Sequence, residues 1–363
     1  MKAKKLILLF FAFLALSHVA RSQGCIMVRN ISGFGQYNLT DNAFTVSSWQ
    51  LNFIGRYFKA YRDFIGTKEQ PVPTQDQTIV KSYSVDMTVS RLLENGWSLE
   101  LSVPISSNSR SATKEHGGLG KARHTTNTFG IGDMRFTAYK WILVPSVTQK
   151  FNAQVGLGIK LPTGEYKYQD YFYKNDSVKV LAPVNGSIQL GDGGTGIITQ
   201  VNAFYFLNKK ISFYGNAYYL MNPRDHNGVS TITGRLSGPT SIEMLTGNDV
   251  YSVPDVYSYR IGINVIMDKF AFSAGLRNEG VPVRDLVGGS YGLRRPGHNL
   301  SAEPGIMYKM NRSSVYAYVP VIIARNISQS LPDAQTSAIM HKEIIGTGGS
   351  GDYQVFLGVL FKL

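Results

Sequence analysis

The side chains best suited to chemistry in this 363-residue chain are dispersed along it. Outside the first 22 residues the histidines are His116, His124, His226, His298 and His341, and all fall in expected long loops or at their edges. Imidazole ligates metals and moves protons near neutral pH, but no pair here has ligand spacing on a regular element. Cys25 is the single cysteine, so no internal disulfide is available. The glycine-rich stretches 191–196 and 346–351 lack the Gly-Lys-Ser/Thr ending and the following helix that a phosphate-binding loop requires. No catalytic set, metal or cofactor is expected. What remains is a charged group: Arg56, Asp86, Glu100, Asp133, Arg135, Arg260, Arg277, Glu303 and Lys309, with the neutral Asn52, Gln200, Asn202 and Asn264 in similar settings. Each lies on the polar side of an alternating segment. Such charges either pair across a shared interior and fill it, since an unpaired one is costly, or line a narrow path for a solute.

The segments that position these residues alternate with period two. Residues 97–105 carry apolar side chains at Trp97, Leu99, Leu101, Val103 and Ile105. Residues 150–161 set Phe151, Ala153, Val155, Leu157, Ile159 and Leu161 against Lys150, Asn152, Gln154, Gly156, Gly158 and Lys160. A strand of this kind has one face in an apolar medium and one against something polar. Twelve such strands are expected, at 47–61, 79–92, 97–106, 128–143, 148–161, 196–207, 211–221, 254–267, 269–280, 301–310, 314–325 and 352–363. Most reach the roughly ten residues that a tilted membrane-spanning strand needs.

The connections alternate between short and long. Short ones lie near Glu94-Asn95-Gly96, Pro145-Ser146, Asn208-Lys209, Asp268 and Asn311-Arg312; long ones occupy 62–78, 107–127, 162–195, 222–253, 281–300 and 326–351. A sandwich has no reason to sort its loops in this way, whereas a membrane barrel has tight periplasmic turns and long extracellular loops. The expected fold is therefore all-β: a membrane-spanning antiparallel up-and-down barrel over residues 47–363. Trp49, Trp97 and Trp141 all fall at the short-turn end, where an interfacial aromatic belt belongs. Phe361 and Leu363 close the last strand in the manner of a barrel insertion signal.

The N-terminus fits the same compartment. Lys2, Lys4 and Lys5 precede an apolar run from Leu6 to Leu16, and Ala20-Arg21-Ser22 places small residues at a cleavage site. This is the layout of a secretory signal peptide over residues 1–22. Removing it lowers the net charge from +13 to about +9, a basic balance that suits anionic surface lipid or anionic solutes better than nucleic acid in an exported chain. Gly24 before Cys25 leaves lipoprotein processing open. No later stretch is long and apolar enough for a spanning helix. The bacterial outer membrane is the expected location and its lipid the expected surroundings.

Two motifs carry a family resemblance. Phe129-Gly130-Ile131-Gly132-Asp133-Met134-Arg135, followed by Gly156-Leu157-Gly158-Ile159-Lys160-Leu161-Pro162-Thr163-Gly164, resembles the paired signature of the phenol-degradation meta-pathway family of outer-membrane transporters, which is distantly similar to fatty-acid-transporter-like channels. Gln189 to Gly196 resembles that family's glutamine-glycine stretch, with Asp192 and an extra glycine as departures. The motifs cover about residues 128–200. The resemblance implies a barrel for uptake of small, often hydrophobic or aromatic molecules. From the residues alone two roles stay open: a channel for small solutes, or a non-transporting barrel serving an envelope or secretion complex. Neither is an enzyme.

Residues 23–46 are too long for a simple tether and are expected to fold into the periplasmic mouth as a partial plug. Deleting them behind the signal peptide should raise single-channel conductance in planar bilayers. Unchanged conductance would remove the plug from the picture.

Overall fold

A computed structural model describes residues 48–363 except 147, 148, 176, 234 and 236. The expected signal peptide, Cys25 and the 23–46 segment lie outside the described residues. Twelve antiparallel strands close on themselves. They are β1 Trp49–Ala60, β2 Ile79–Leu92, β3 Trp97–Ala112, β4 in two parts (His124–Ile131 and Arg135–Trp141), β5 Phe151–Lys160 and β6 Gly196–Phe206. The second half comprises β7 Ile211–Met221, β8 Val256–Met267, β9 Phe270–Val281, β10 Gly297–Lys309, β11 in two parts (Ser313–Tyr318 and Val321–Ile327) and β12 Gln354–Lys362. Each strand pairs with its neighbours in sequence, and β12 closes on β1 from Gln50↔Lys362 to Phe58↔Gln354. Closure satisfies both ladder edges, which an apolar medium demands because it offers no competing hydrogen-bond partners.

The pleat separates two faces. Outward side chains such as Val85, Leu101, Leu157, Val201, Ile261 and Leu357 stay exposed, at 41 to 63% of their surface. An apolar exterior on this scale is a lipid-facing wall. At the short-turn end the wall carries a ring of aromatics: Trp49, Trp97, Phe151, Tyr205, Phe270, Tyr308 and Phe361. Arg91 lies over the Trp49 ring and Lys140 over the Trp97 ring, so cations accompany the belt at its edge. Trp141 departs from the expectation. It is 2% exposed and points inward against Phe204. Arg135 and Trp141 share one face of β4, so a strand that turns Arg135 to the lumen turns Trp141 there too.

Three strands reach beyond their expected ends. Residues 107–112 of β3, 124–127 of β4 and 297–300 of β10 are mostly polar on both faces, and above the lipid a strand needs no apolar side. His124 and His298 therefore lie on strands and not in loops. β11 breaks at Val319-Pro320, where proline removes a ladder donor. β4 breaks at Gly132–Met134. Ile131 pairs with Ile105 and Arg135 with Ser102, so four steps on β4 face three on β3. That extra residue is a β-bulge, and it switches which parity faces inward: Thr126 and Thr128 above it, Arg135 and Thr137 below.

The long loops are structured. A small sheet joins Arg62–Ile65 to Lys68–Gln70 and Gly348–Ser350, and Gln169–Tyr173 pairs with Lys179–Pro183. Helix α1 (Ser241–Thr246) starts in a Thr240/Glu243 capping box, and α2 (Leu331–Met340) is capped by Ser330. The two helices meet through Thr246, Asn248 and Thr336.

Inward glycines seat aromatic rings flat against the wall. A Cβ on Gly156 would lie 2.5 Å from the Tyr139 ring, and one on Gly262 would lie 2.6 Å from the Tyr214 ring. Tyr139 and Thr137 take the space beside Gly156 and Gly158. Gly156→Val should push the Tyr139 ring off the wall and cost about 1–3 kcal/mol by overpacking. A lower midpoint for the heat-induced gel-mobility shift in detergent is the expected readout, with no change for the outward Leu157→Val.

Candidate solute-binding cavity

The interior divides into a filled lower half and an open upper half. Three of the inward side chains in the lower half, Tyr316, Tyr318 and Phe356, form a stack: Tyr318 lies 4.5 Å from Phe356 and 6.4 Å from Tyr316 between ring centroids. Arg260 sits over the Tyr318 ring and Arg277 over Phe356. Glu303 approaches Arg277 at 3.4 Å and Arg260 at 3.8 Å, while Arg277 Nε donates to Glu279 at 2.9 Å. Gln354 donates to the other oxygen of Glu279 at 2.7 Å. Arg260, Arg277, Glu279 and Glu303 are all nearly sealed from water. Such a cluster is tolerable only because opposite charges and hydrogen bonds replace the lost hydration.

Beside it stands a second pair. Arg56 Nη2 lies 3.6 Å from Asp86, and Arg56 Nε donates to Ser84 Oγ at 3.2 Å. Above this level a cavity of about 510 Å³ extends into the loop layer. On their strands, Arg56, Arg135 and Tyr218 are the lining residues nearest the short-turn end. Its walls are apolar on two sides. Phe58 and Val80 pack with Val184 and Ile188 of the long β5–β6 loop, and Tyr218 and Leu220 pack with Val256 and Ile198 across the lumen.

The β4 bulge and the β5–β6 loop build the third side. Asp133 accepts from the backbone N–H groups of Gly164 at 3.0 Å and Asp192 at 3.2 Å. Lys160 lies 3.7 Å from Asp133 and bonds Asp192 directly. A side chain on Gly191 would collide with the Asp133 carboxylate, so the two sequence motifs meet through a backbone approach that only glycine permits. Above Arg135 the β4 strand pairs with β3 alone. There the Gln169–Tyr173 strand stands alongside, and Asp170 accepts from Asn127 N–H. Ile188 O accepts from both Thr128 and Asn108, which fixes the loop inside the mouth.

Of the expected lumen residues, Arg56, Asp133 and Arg135 line the cavity; Arg260, Arg277 and Glu303 form the cluster below; Asp86 pairs with Arg56. Glu100 lies apart, buried and accepting from Ser90, and Lys309 sits near the short-turn end close to Lys362. Sequence reasoning missed Glu279, Lys160 and Asp192. Glu279 and Lys160 were within its reach, since Glu279 is two residues beyond Arg277 on β9 and Lys160 shares the inward register of Gly156. Asp192 lies on a loop whose fold no alternation reveals.

The fold and interior together define a class: a twelve-stranded membrane β-barrel with an occluded lower lumen and an outward-reaching cavity. The fold is similar to that in the crystal structure of the COG4313 outer membrane channel from Pseudomonas putida F1, with 10% identity, 92% of this chain and 99% of that chain covered, and a TM-score of 0.61. A Pseudomonas aeruginosa FadL homologue (11% identity, 94% and 96% covered, TM-score 0.42) and the CymD monoaromatic hydrocarbon channel (9%, 95% and 98%, 0.41) align less closely. At such identities the likeness establishes the fold alone. No family model and no curated protein matches the chain.

The histidines near the mouth serve packing. His116 is 2% exposed, stacks on Phe172 and accepts from Tyr173 N–H at Nδ1; His124 stacks on Tyr173. Among the described residues no group of His, Cys, Asp and Glu side chains could hold a metal ion. Burial pushes the His116 pKa down to about 4, with His124 and Lys174 adding to the effect and Glu115 opposing it. The folded loop thus binds fewer protons than the open one between pH 6.5 and about 4. Its stability is full above 6.5 and falls through that window on acidification, by up to about 3 kcal/mol. Hydrogen exchange at the Tyr173 amide should accelerate at pH 4.5 relative to pH 7 beyond the intrinsic rate change, and His116→Phe should abolish that excess.

Proposed function

We propose that the chain is an outer-membrane channel that admits small organic solutes, with hydrophobic or aromatic portions, through the cavity above Arg56. The observation that carries this reading is the cavity itself: about 510 Å³, walled by Phe58, Tyr218, Leu220 and Val256, inside a barrel whose exterior faces lipid. A volume of that size, with apolar wall segments set among polar and charged groups, has room for a small organic molecule and the means to orient it. The solved structure with the same fold is an outer membrane channel, and the two sequence motifs that resemble a transporter family build one wall of the cavity. Arg56 and Arg135 would meet the solute at the floor of the cavity, with Asp133 on the wall beside them. Arg260, Arg277 and Glu303, with Asp86, close the way below. Glu100 and Lys309 would border the path at its inner end.

The occluded lower half also suits a barrel that transports nothing and serves an envelope complex. Transport measurements separate the two roles. Proteoliposomes holding the full chain should take up phenyl β-glucoside, a neutral aromatic solute that crosses bare lipid slowly, several times faster than empty liposomes. A substitution that fills the cavity, Ala60→Trp, should lower that excess at least threefold while leaving heat-modifiability intact. Uptake equal to that of empty liposomes would sink the channel and leave the accessory barrel.

A further inference from the structure

Seven cationic side chains line the cavity, and they are not equivalent. Arg110 is gripped by Glu115 at 2.9 Å, and Lys160 is held between Asp133 and Asp192. Arg294 meets Asp285 at 2.6 Å, and Arg295 meets Asp333 at 3.4 Å. Lys114 is exposed at the mouth. Arg135 lies against the Tyr218 hydroxyl.

Arg294 Nε is also buried without a hydrogen-bond partner among the described residues, but both terminal nitrogens of that guanidinium are bound to Asp285. Arg56 is held more loosely. Its side chain is 3% exposed, its contact with Asp86 is a single one at 3.6 Å, and its Nη1 is buried with no hydrogen-bond partner among the described residues. A guanidinium has five donors, and leaving one unmet away from water is unfavourable. Arg135 and Arg277 add further positive charge around it. Arg56 lines the cavity at its short-turn end, with Phe58 directly beyond it on β1 and Tyr218 and Leu220 on the opposite wall.

We propose that the cavity holds a carboxylate subsite: the acid group of a small amphipathic anion draws the loosely held Arg56 guanidinium toward the cavity and accepts a hydrogen bond from it, and its apolar part lies against Phe58, Tyr218 and Leu220. This rests on the channel reading for its physiological meaning, but binding can be measured apart from transport. Charge-assisted bonds to a guanidinium are the strong ones, and in a confined site of low dielectric they outweigh their counterparts in water. An acid without an apolar part gains only the first contact. A neutral aromatic gains only the second.

The test uses the full chain purified in detergent and four radiolabelled probes: benzoate, benzyl alcohol, benzylamine and acetate. Equilibrium dialysis at pH 7 should show benzoate binding about tenfold more tightly than benzyl alcohol or acetate, with benzylamine weakest. The variant R56Q/D86N removes the donor and its counter-charge together, so no orphan carboxylate remains. It should reduce benzoate affinity about tenfold and benzyl alcohol affinity by less than threefold. Equal binding of benzoate and benzyl alcohol in the wild type overturns the subsite, and so does full benzoate affinity in the variant. Acetate binding as tightly as benzoate overturns the apolar half of the site. If the variant loses heat-modifiability, the wild-type order of the four probes decides by itself. Phenyl β-glucoside uptake into proteoliposomes without benzoate preference in binding keeps the channel and rejects the subsite; benzoate binding without any such uptake does the reverse.

Discussion

Inside a closed barrel, a charged side chain that faces the lumen can reach only other lumen side chains or trapped solvent. The rest of this interior follows from that constraint. Arg260 and Arg277 are sealed from bulk water; Glu303 and the face of Tyr318 compensate Arg260, and Glu279, Glu303 and the face of Phe356 compensate Arg277. Because those partners come from β8, β9, β10, β11 and β12, the cluster ties five strands together across the lumen as well as around the wall. Its members could not be removed singly without stranding a charge, which is far costlier than losing the whole set.

The same constraint explains the bulge in β4. A regular strand would have kept one parity inward throughout, and the outer half would then have presented Phe129 and Ile131 to the interior. The extra residue at Gly132–Met134 lets Phe129 and Ile131 face outward above it while Arg135 and Thr137 face inward below. It also frees Asp133 to turn toward the loop. There its carboxylate collects two backbone N–H groups and Lys160, so the break in the wall becomes the anchor of the β5–β6 loop.

Much of this was legible in the residues. Period-two alternation and the sorting of short from long connections specify twelve strands and their orientation, because a lipid-facing wall imposes both. Where that pressure ends, legibility ends. Residues 107–112 are strand without a lipid face, so nothing in their pattern announces it. The bulge hides because Phe129 to Arg135 reads as one continuous run. Trp141 is a different case, since its parity relative to Arg135 already placed it inside, and its position at a strand end suggested a belt that its register denies. Glu279 and Lys160 were equally readable from register. Asp192 and the cavity mouth depend on how a long loop folds back, which local sequence does not encode.

The flat seating of the tyrosines bears on how a path through this barrel would open. Tyr139 and Tyr214 lie over Gly156 and Gly262, with their rings against the wall. Rings held this way narrow the lumen little, and moving them would require moving the strands beneath. The lower half is closed instead by long charged side chains that lie over the aromatic stack or beside it and pair with neighbouring strands: Arg56 with Asp86, and Arg260 and Arg277 with Glu303. These can change rotamer while the ladder stays intact, and rotamer changes are fast compared with any separation of paired strands. A barrel built this way keeps its wall fixed and makes occlusion a property of a few ion pairs. An anion that competes with Asp86 for Arg56 would then loosen one of those pairs by the same contact that holds it.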